Sequence, residues 1–107
     1  NEVIINDKCE MMVRFKDNLL EQKYLSNGAI DQLYLCLRVA FVKLIFSKEE
    51  YITFLDDAFV QYDDIRRNRA ILFLINTLRG QILIFTCQKN EIEILEKNNI
   101  RFTKTIM

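Results

Sequence analysis

Two aspartates in succession, Asp56 and Asp57, close the hydrophobic run Tyr51-Ile52-Thr53-Phe54-Leu55. A hydrophobic strand that ends this way delivers acids to a fixed point at the edge of a sheet. Mg²⁺ favours near-octahedral oxygen coordination and is often held by one carboxylate, directly or through water. The neighbouring acid can then orient a water for attack on a phosphate. The same pair also fits a strand that ends in a solvated turn or caps a helix. A second candidate is Leu25-Ser26-Asn27-Gly28, followed by Ala29-Ile30-Asp31-Gln32. Asn-Gly is a strong hairpin signal, but a long helix-like run follows instead of a second strand. The segment therefore reads as a glycine-containing loop feeding a helix N-terminus. Backbone N–H groups there, with the Ser26 hydroxyl, can meet an anion, or the segment can be a plain helix start.

Other chemistries are excluded by composition. The chain has no histidine, which removes Ser-His-Asp and Cys-His catalysis and imidazole-based zinc sites. Its three cysteines, Cys9, Cys36 and Cys87, form no Cys-x-x-Cys pair. A reducing, cytoplasmic setting is expected, with the thiols as small buried hydrophobes. Lys+Arg and Asp+Glu both number 15, so a uniformly basic nucleic-acid binder is not expected. The 107 residues, half of them hydrophobic, suit one domain, residues 1–107. No membrane span is expected: the longest apolar stretch, Leu33 to Phe46, is short and interrupted by Arg38 and Lys43. No signal peptide is visible. The chain begins at Asn1, which fits a piece of something longer.

The elements that must position these groups follow from periodicity. Residues 3 to 25 read as a hairpin or meander, with Met11, Val13 and Phe15 on one face and a turn at Asp17-Asn18. Ala29 to Phe46 reads as a helix, with Asp31 in its first turn. It is apolar nearly all round from Leu33, so it is expected to lie buried between layers. Tyr51–Leu55 reads as a covered parallel strand. A second helix is predicted from near Asp63-Asp64 to Arg79, with Gly80 just past its end. Gln81–Phe85 is another strand, Asn90–Lys97 a short helix, and Ile100–Thr105 a final strand. Alternating strands and helices imply a parallel sheet, whose ligands sit beyond the carboxyl ends of the strands. Asp56-Asp57 and Thr86-Cys87-Gln88 occupy such positions.

Taken together, these features resemble one family. Leu25-Ser26-Asn27-Gly28 with Asp31-Gln32 is similar to the signature motif, L-S-x-G-x-x-x-Q, of ABC-type ATPases. Ile52-Thr53-Phe54-Leu55-Asp56-Asp57 resembles their Walker B strand, Phe59-Val60-Gln61-Tyr62-Asp63 falls where the D-loop follows, and Ile82 to Gln88 corresponds to the switch strand. The likeness covers roughly residues 20 to 90. Within the superfamily it is nearest the chromosome-maintenance and double-strand-break-repair ATPases, particularly YhaN/SbcC-like members.

The resemblance implies an α/β fold: the C-terminal half of a P-loop NTPase head, mostly parallel sheet with flanking helices and an N-terminal β-hairpin. No G-x-x-x-x-G-K-[ST] is present, so the phosphate-cradling lobe would be a separate N-terminal partner. By similarity, Asp56 would hold Mg²⁺. Asp57, one methylene shorter than the family's glutamate, would position the attacking water. Ser26, Asn27, Gly28 and Gln32 would face ATP bound to a second head, and Asp63 would link the two sites across a homodimer. Gln88 stands where many members have histidine; it cannot exchange a proton near neutral pH but can hydrogen-bond a γ-phosphate. The implied work is ATP-driven head dimerisation that reshapes coiled-coil arms around DNA. Arg66, Arg67 and Arg69 form a small basic cluster suited to a DNA backbone or to a solvated helix face. A degenerate, non-hydrolysing dimerisation module is the alternative. A receiver-like phospho-acceptor also uses an acidic pair after a strand, but the third acid it needs is not found after the second strand. The missing lobe implies an unpaired sheet edge and self-association.

Overall fold

The computed structural model describes residues 2–107. The chain first forms a three-stranded antiparallel sheet, β1 (Glu2–Ile5), β2 (Met11–Phe15) and β3 (Asn18–Glu21), in the order β1-β2-β3. The β2–β3 turn is Lys16-Asp17, one residue earlier than expected, because Phe15 pairs with Asn18. Lys16 takes φ 55° to close it. Met11 is buried and Val13 half-buried, while Phe15, at the open end, is exposed. The expected third strand to Leu25 stops at Glu21; residues Gln22–Tyr24 form a 3₁₀ turn that redirects the chain into a helix.

That helix, α1 (Asn27–Ile45), starts two residues before the expected Ala29. Asp31 therefore lies beyond the first turn, and the dipole role expected for it does not hold. The expectation of burial between two layers also fails. Of its 19 residues only Gly28 and Val39 are buried, and Leu44 is 76% exposed. One flank, at Leu35 and Val39, meets the core. Among the described residues nothing covers the opposite flank at Phe41, Leu44 and Ile45, all exposed.

A β-α-β unit follows. β4 (Thr53–Asp56) and β5 (Ile82–Phe85) run parallel, with Asp56 opposite Phe85. The crossover is α2 (Asp64–Thr77), capped by the Asp63 carboxylate as predicted. It ends at Thr77, before the expected Arg79. Gly80 lies beyond its C-cap, at φ +85°, where a Cβ would stand 2.2 Å from the Tyr51 carbonyl oxygen. A side chain cannot fit there, so glycine is required on two counts. α3 (Asn90–Lys97) is placed as expected.

The strand predicted over Ile100–Thr105 is absent. The Ile100 amide closes the end of α3 on the Leu95 carbonyl at 3.0 Å, and residues 101–107 are exposed without regular structure. Sheet is therefore not mostly parallel: the parallel part is a two-stranded pair beside a three-stranded antiparallel sheet. The core joins Val39, Leu55, Phe59, Tyr62, Ala70, Ile71, Leu74 and Leu95. Phe59, Ile71 and Leu74 are the largest fully buried side chains, each contributing on the order of 2–3 kcal/mol by burial. On the other face of the parallel pair Phe54 and Phe85 stack, ring centroids 6.4 Å apart, and both are exposed. Parallel strands are ordinarily covered on both faces, and here one is open.

Candidate functional site

Two groups of polar residues gather around the loop between β4 and α2. The first is built on the start of α1. Ser26 is the cap residue, with φ −65° and ψ 157°. Its Oγ accepts the Ala29 amide at 3.2 Å, and its carbonyl accepts the Ile30 amide at 2.9 Å. Ser26 and Asn27 are exposed; Gly28 is buried. Gly28 is buried because the β4–α2 loop lies on it. A Cβ there would be 2.7 Å from the Gln61 carbonyl oxygen and 3.0 Å from Arg66 Nη1. Gln32 is half-buried one turn further along α1.

Arg66 completes this corner. Its Nη1 donates to Ser26 Oγ at 3.3 Å, and its Nε lies 3.9 Å from the Asp63 carboxylate. Asp63 is exposed and accepts the Arg66 amide at 2.8 Å. Tyr62 plugs the loop onto α1. Its ring packs edge-on against Phe59, with centroids 5.8 Å apart, and its hydroxyl is buried without a hydrogen-bond partner among the described residues. Burial, with the carboxylate of Asp31 adding to it, pushes this phenol up to about 12. Arg67 holds the loop from beneath. It is buried, donates from Nη2 to the carbonyls of Tyr62 at 3.0 Å and Phe59 at 3.5 Å, and pairs through Nη1 with Asp64 at 3.0 Å.

The second group sits at the carboxyl ends of the parallel strands. Asp56 ends β4 and is exposed. Asp57 continues the ladder, its amide donating to the Phe85 carbonyl at 2.9 Å, and then turns the chain at φ 45°. A left-handed residue other than glycine stores about 1 kcal/mol or more, and aspartate tolerates it better than most. The Cys87 thiol is 3.9 Å from Asp57 Oδ1. Thr86 Oγ1 accepts the Gln88 amide at 3.0 Å and donates to the buried Glu91 carboxylate at 3.3 Å. Gln88 Oε1 is buried with no partner among the described residues.

Ser26, Gly28 and Asp63 are thus gathered at one corner, and Asp56, Asp57 and Gln88 at adjacent strand ends. The loop 57–63 connects the two groups. The basic cluster expected on α2 comes apart: Arg66 bends to Ser26, Arg67 is buried under the loop, and Arg69 is exposed. The cysteines are all exposed thiols, not the buried hydrophobes expected. Sequence reasoning missed the roles of Gln61, Arg66, Arg67 and Cys87. The i,i+3 spacing of Asp63 with Arg66 and of Asp64 with Arg67 was the available signal. Among the described residues no cluster of three or more His, Cys, Asp or Glu side chains forms a metal cage, and no helix is long and apolar enough to cross a membrane. Comparison with protein-family models and with curated proteins returns no match.

Proposed function

We propose that this chain is the C-terminal lobe of an ABC-type ATPase head, of the kind found in coiled-coil DNA-repair and chromosome-maintenance ATPases. The observation that carries the reading is the seat of Gly28 on the Gln61 carbonyl. It joins the signature-like corner to the D-loop-like segment, in the chain order that the family pattern requires. Further support comes from Asp56, Asp57 and Gln88 lying at the ends of adjacent parallel strands. The open Phe54–Phe85 face and the bare flank of α1 suit a covering lobe that carries the P-loop.

In this reading Asp56 contributes one carboxylate to Mg²⁺, which ordinarily keeps several waters and relies on substrate phosphate for the rest. The ion supplies charge neutralisation at the phosphates. Asp57 orients the attacking water from the left-handed turn that it makes at the end of the strand. Gln88 offers a hydrogen bond to the γ-phosphate. The exposed Ser26 corner faces ATP held by a second head, so two heads close around nucleotide and part when the γ-phosphate leaves.

The test pairs two substitutions in the full-length protein. Asp57→Asn abolishes turnover but prolongs the Mg·ATP-dependent dimer, whereas Ser26→Arg abolishes both turnover and dimer. If both variants dimerise as the parent does with Mg·ATP, the reading fails. The shorter Asp57, and a Gln88 that can donate a hydrogen bond but cannot shuttle a proton, favour a second reading, a dimerisation module that binds ATP without hydrolysing it. A single-turnover assay that returns intact ATP from a stable dimer selects that alternative.

A further inference from the structure

We infer that Arg66 is a positioning residue that fixes the Ser26 hydroxyl as a hydrogen-bond donor toward a phosphate oxygen and ties it to Asp63; this rests on the nucleotide-dependent dimerisation proposed above. A serine hydroxyl has two acceptor lone pairs and one hydrogen to donate. Ser26 Oγ receives the Ala29 amide at 3.2 Å and Arg66 Nη1 at 3.3 Å. Both lone pairs are then taken, and the hydroxyl hydrogen is left to point outward from an exposed residue. Without the arginine the hydroxyl could rotate and present a lone pair, which a phosphate oxygen would repel.

The same guanidinium spans two elements. Its Nε lies 3.9 Å from Asp63 Oδ2, and its Nη1 borders the space over Gly28. The group is planar and permanently charged, so it holds both contacts in one geometry, which a lysine cannot copy. Ser26 and Arg66 are 40 residues apart, so the contact is tertiary and is not a local capping habit. Displacement of Asp63 therefore moves the donor that faces nucleotide.

The test uses the full-length protein with Mg·ATP and the variants Arg66→Ala, Arg66→Lys, Ser26→Ala and the Ser26→Ala/Arg66→Ala pair. Each is read by ATP-dependent dimer affinity, by KM and kcat, and by thermal unfolding. Arg66→Ala should weaken the dimer about tenfold, the worth of one well-oriented hydroxyl–phosphate hydrogen bond, and raise the KM for ATP with it, because nucleotide and second head bind as linked ligands, while the unfolding temperature stays near the parent's. Ser26→Ala should cost a similar factor, the double variant no more than either single one, and Arg66→Lys should recover part. Additive losses, or an unchanged dimer in Arg66→Ala beside a responsive parent, would overturn the role of Arg66 alone. A parent protein that ignores Mg·ATP would remove the nucleotide function and this inference with it.

Discussion

The carbonyl oxygen of Gln61 occupies the space that any side chain at residue 28 would need, 2.7 Å from where a Cβ would stand. The start of α1 and the β4–α2 loop are thereby in main-chain contact. Gly28→Ala must push the loop away or tilt the helix. Overpacking of this kind costs about 1–3 kcal/mol. The gain from alanine's helix propensity, at most about 1 kcal/mol, offsets only part of that. A net loss on the order of 1–2 kcal/mol in urea unfolding is expected. A variant as stable as the parent would show that the loop yields freely.

Arg67 anchors the same loop through the carbonyls of Phe59 and Tyr62. Removing it leaves two buried acceptors without their charged donor. Arg67→Ala should lower stability by about 2 kcal/mol. Asp64→Asn should be close to neutral, because the Asp64 side chain is 95% exposed and its ion pair with Arg67 contributes little. Equal losses from the two variants would mean that the ion pair, and not the carbonyl contacts, holds the loop.

Tyr62 predicts an alkaline weakness. Its ionisation is pushed from 10.0 to about 12 by burial and then by Asp31. Because the folded value lies above the unfolded one, the contribution is complete below pH 10 and fades as pH rises toward about 12. Unfolding followed across that window should show stability falling, and Tyr62→Phe should flatten the fall. The phenylalanine variant should match or slightly exceed the parent near neutrality, since a buried, unpartnered hydroxyl is removed.

The uncovered surfaces predict association. Phe54 is 65% exposed beside Phe85, Leu44 and Ile45 project from α1, and both outer edges of the β4–β5 pair are unpaired among the described residues. Open strand edges and apolar faces recruit other chains. Sedimentation of this 107-residue chain should show concentration-dependent self-association, reduced by Phe54→Thr or Leu44→Lys. A dilute, stable monomer would contradict it.

Local chemistry explains which parts of the fold were legible in the sequence. Asp63 announced α2 because a cap acts within one turn, and the apolar runs before Asp56 and Thr86 announced β4 and β5. The segment at Ser26 is legible both as an anion contact and as a helix start, and its hydroxyl is the cap that starts α1 at Asn27. Ile100–Thr105 has strand-like residues, yet a strand needs a neighbour to bond with, and α3 instead closes on Ile100. The apolar circumference of α1 implied burial, but periodicity describes a surface and does not say what covers it. The contacts of Ser26 with Arg66 and of Asp57 with Cys87 join residues 40 and 30 positions apart, beyond the reach of any local pattern.

The seat of Gly80 against Tyr51 has a consequence for how this chain can diverge. The obstacle is a peptide oxygen, which every amino acid supplies, so crowding leaves the residue type at 51 free while forbidding any replacement at 80. In a saturation library, tolerance should be lopsided across this junction: glycine alone at 80, and at 51 whatever keeps the acceptor for the Arg79 amide, which Tyr51 provides through its hydroxyl at 3.3 Å.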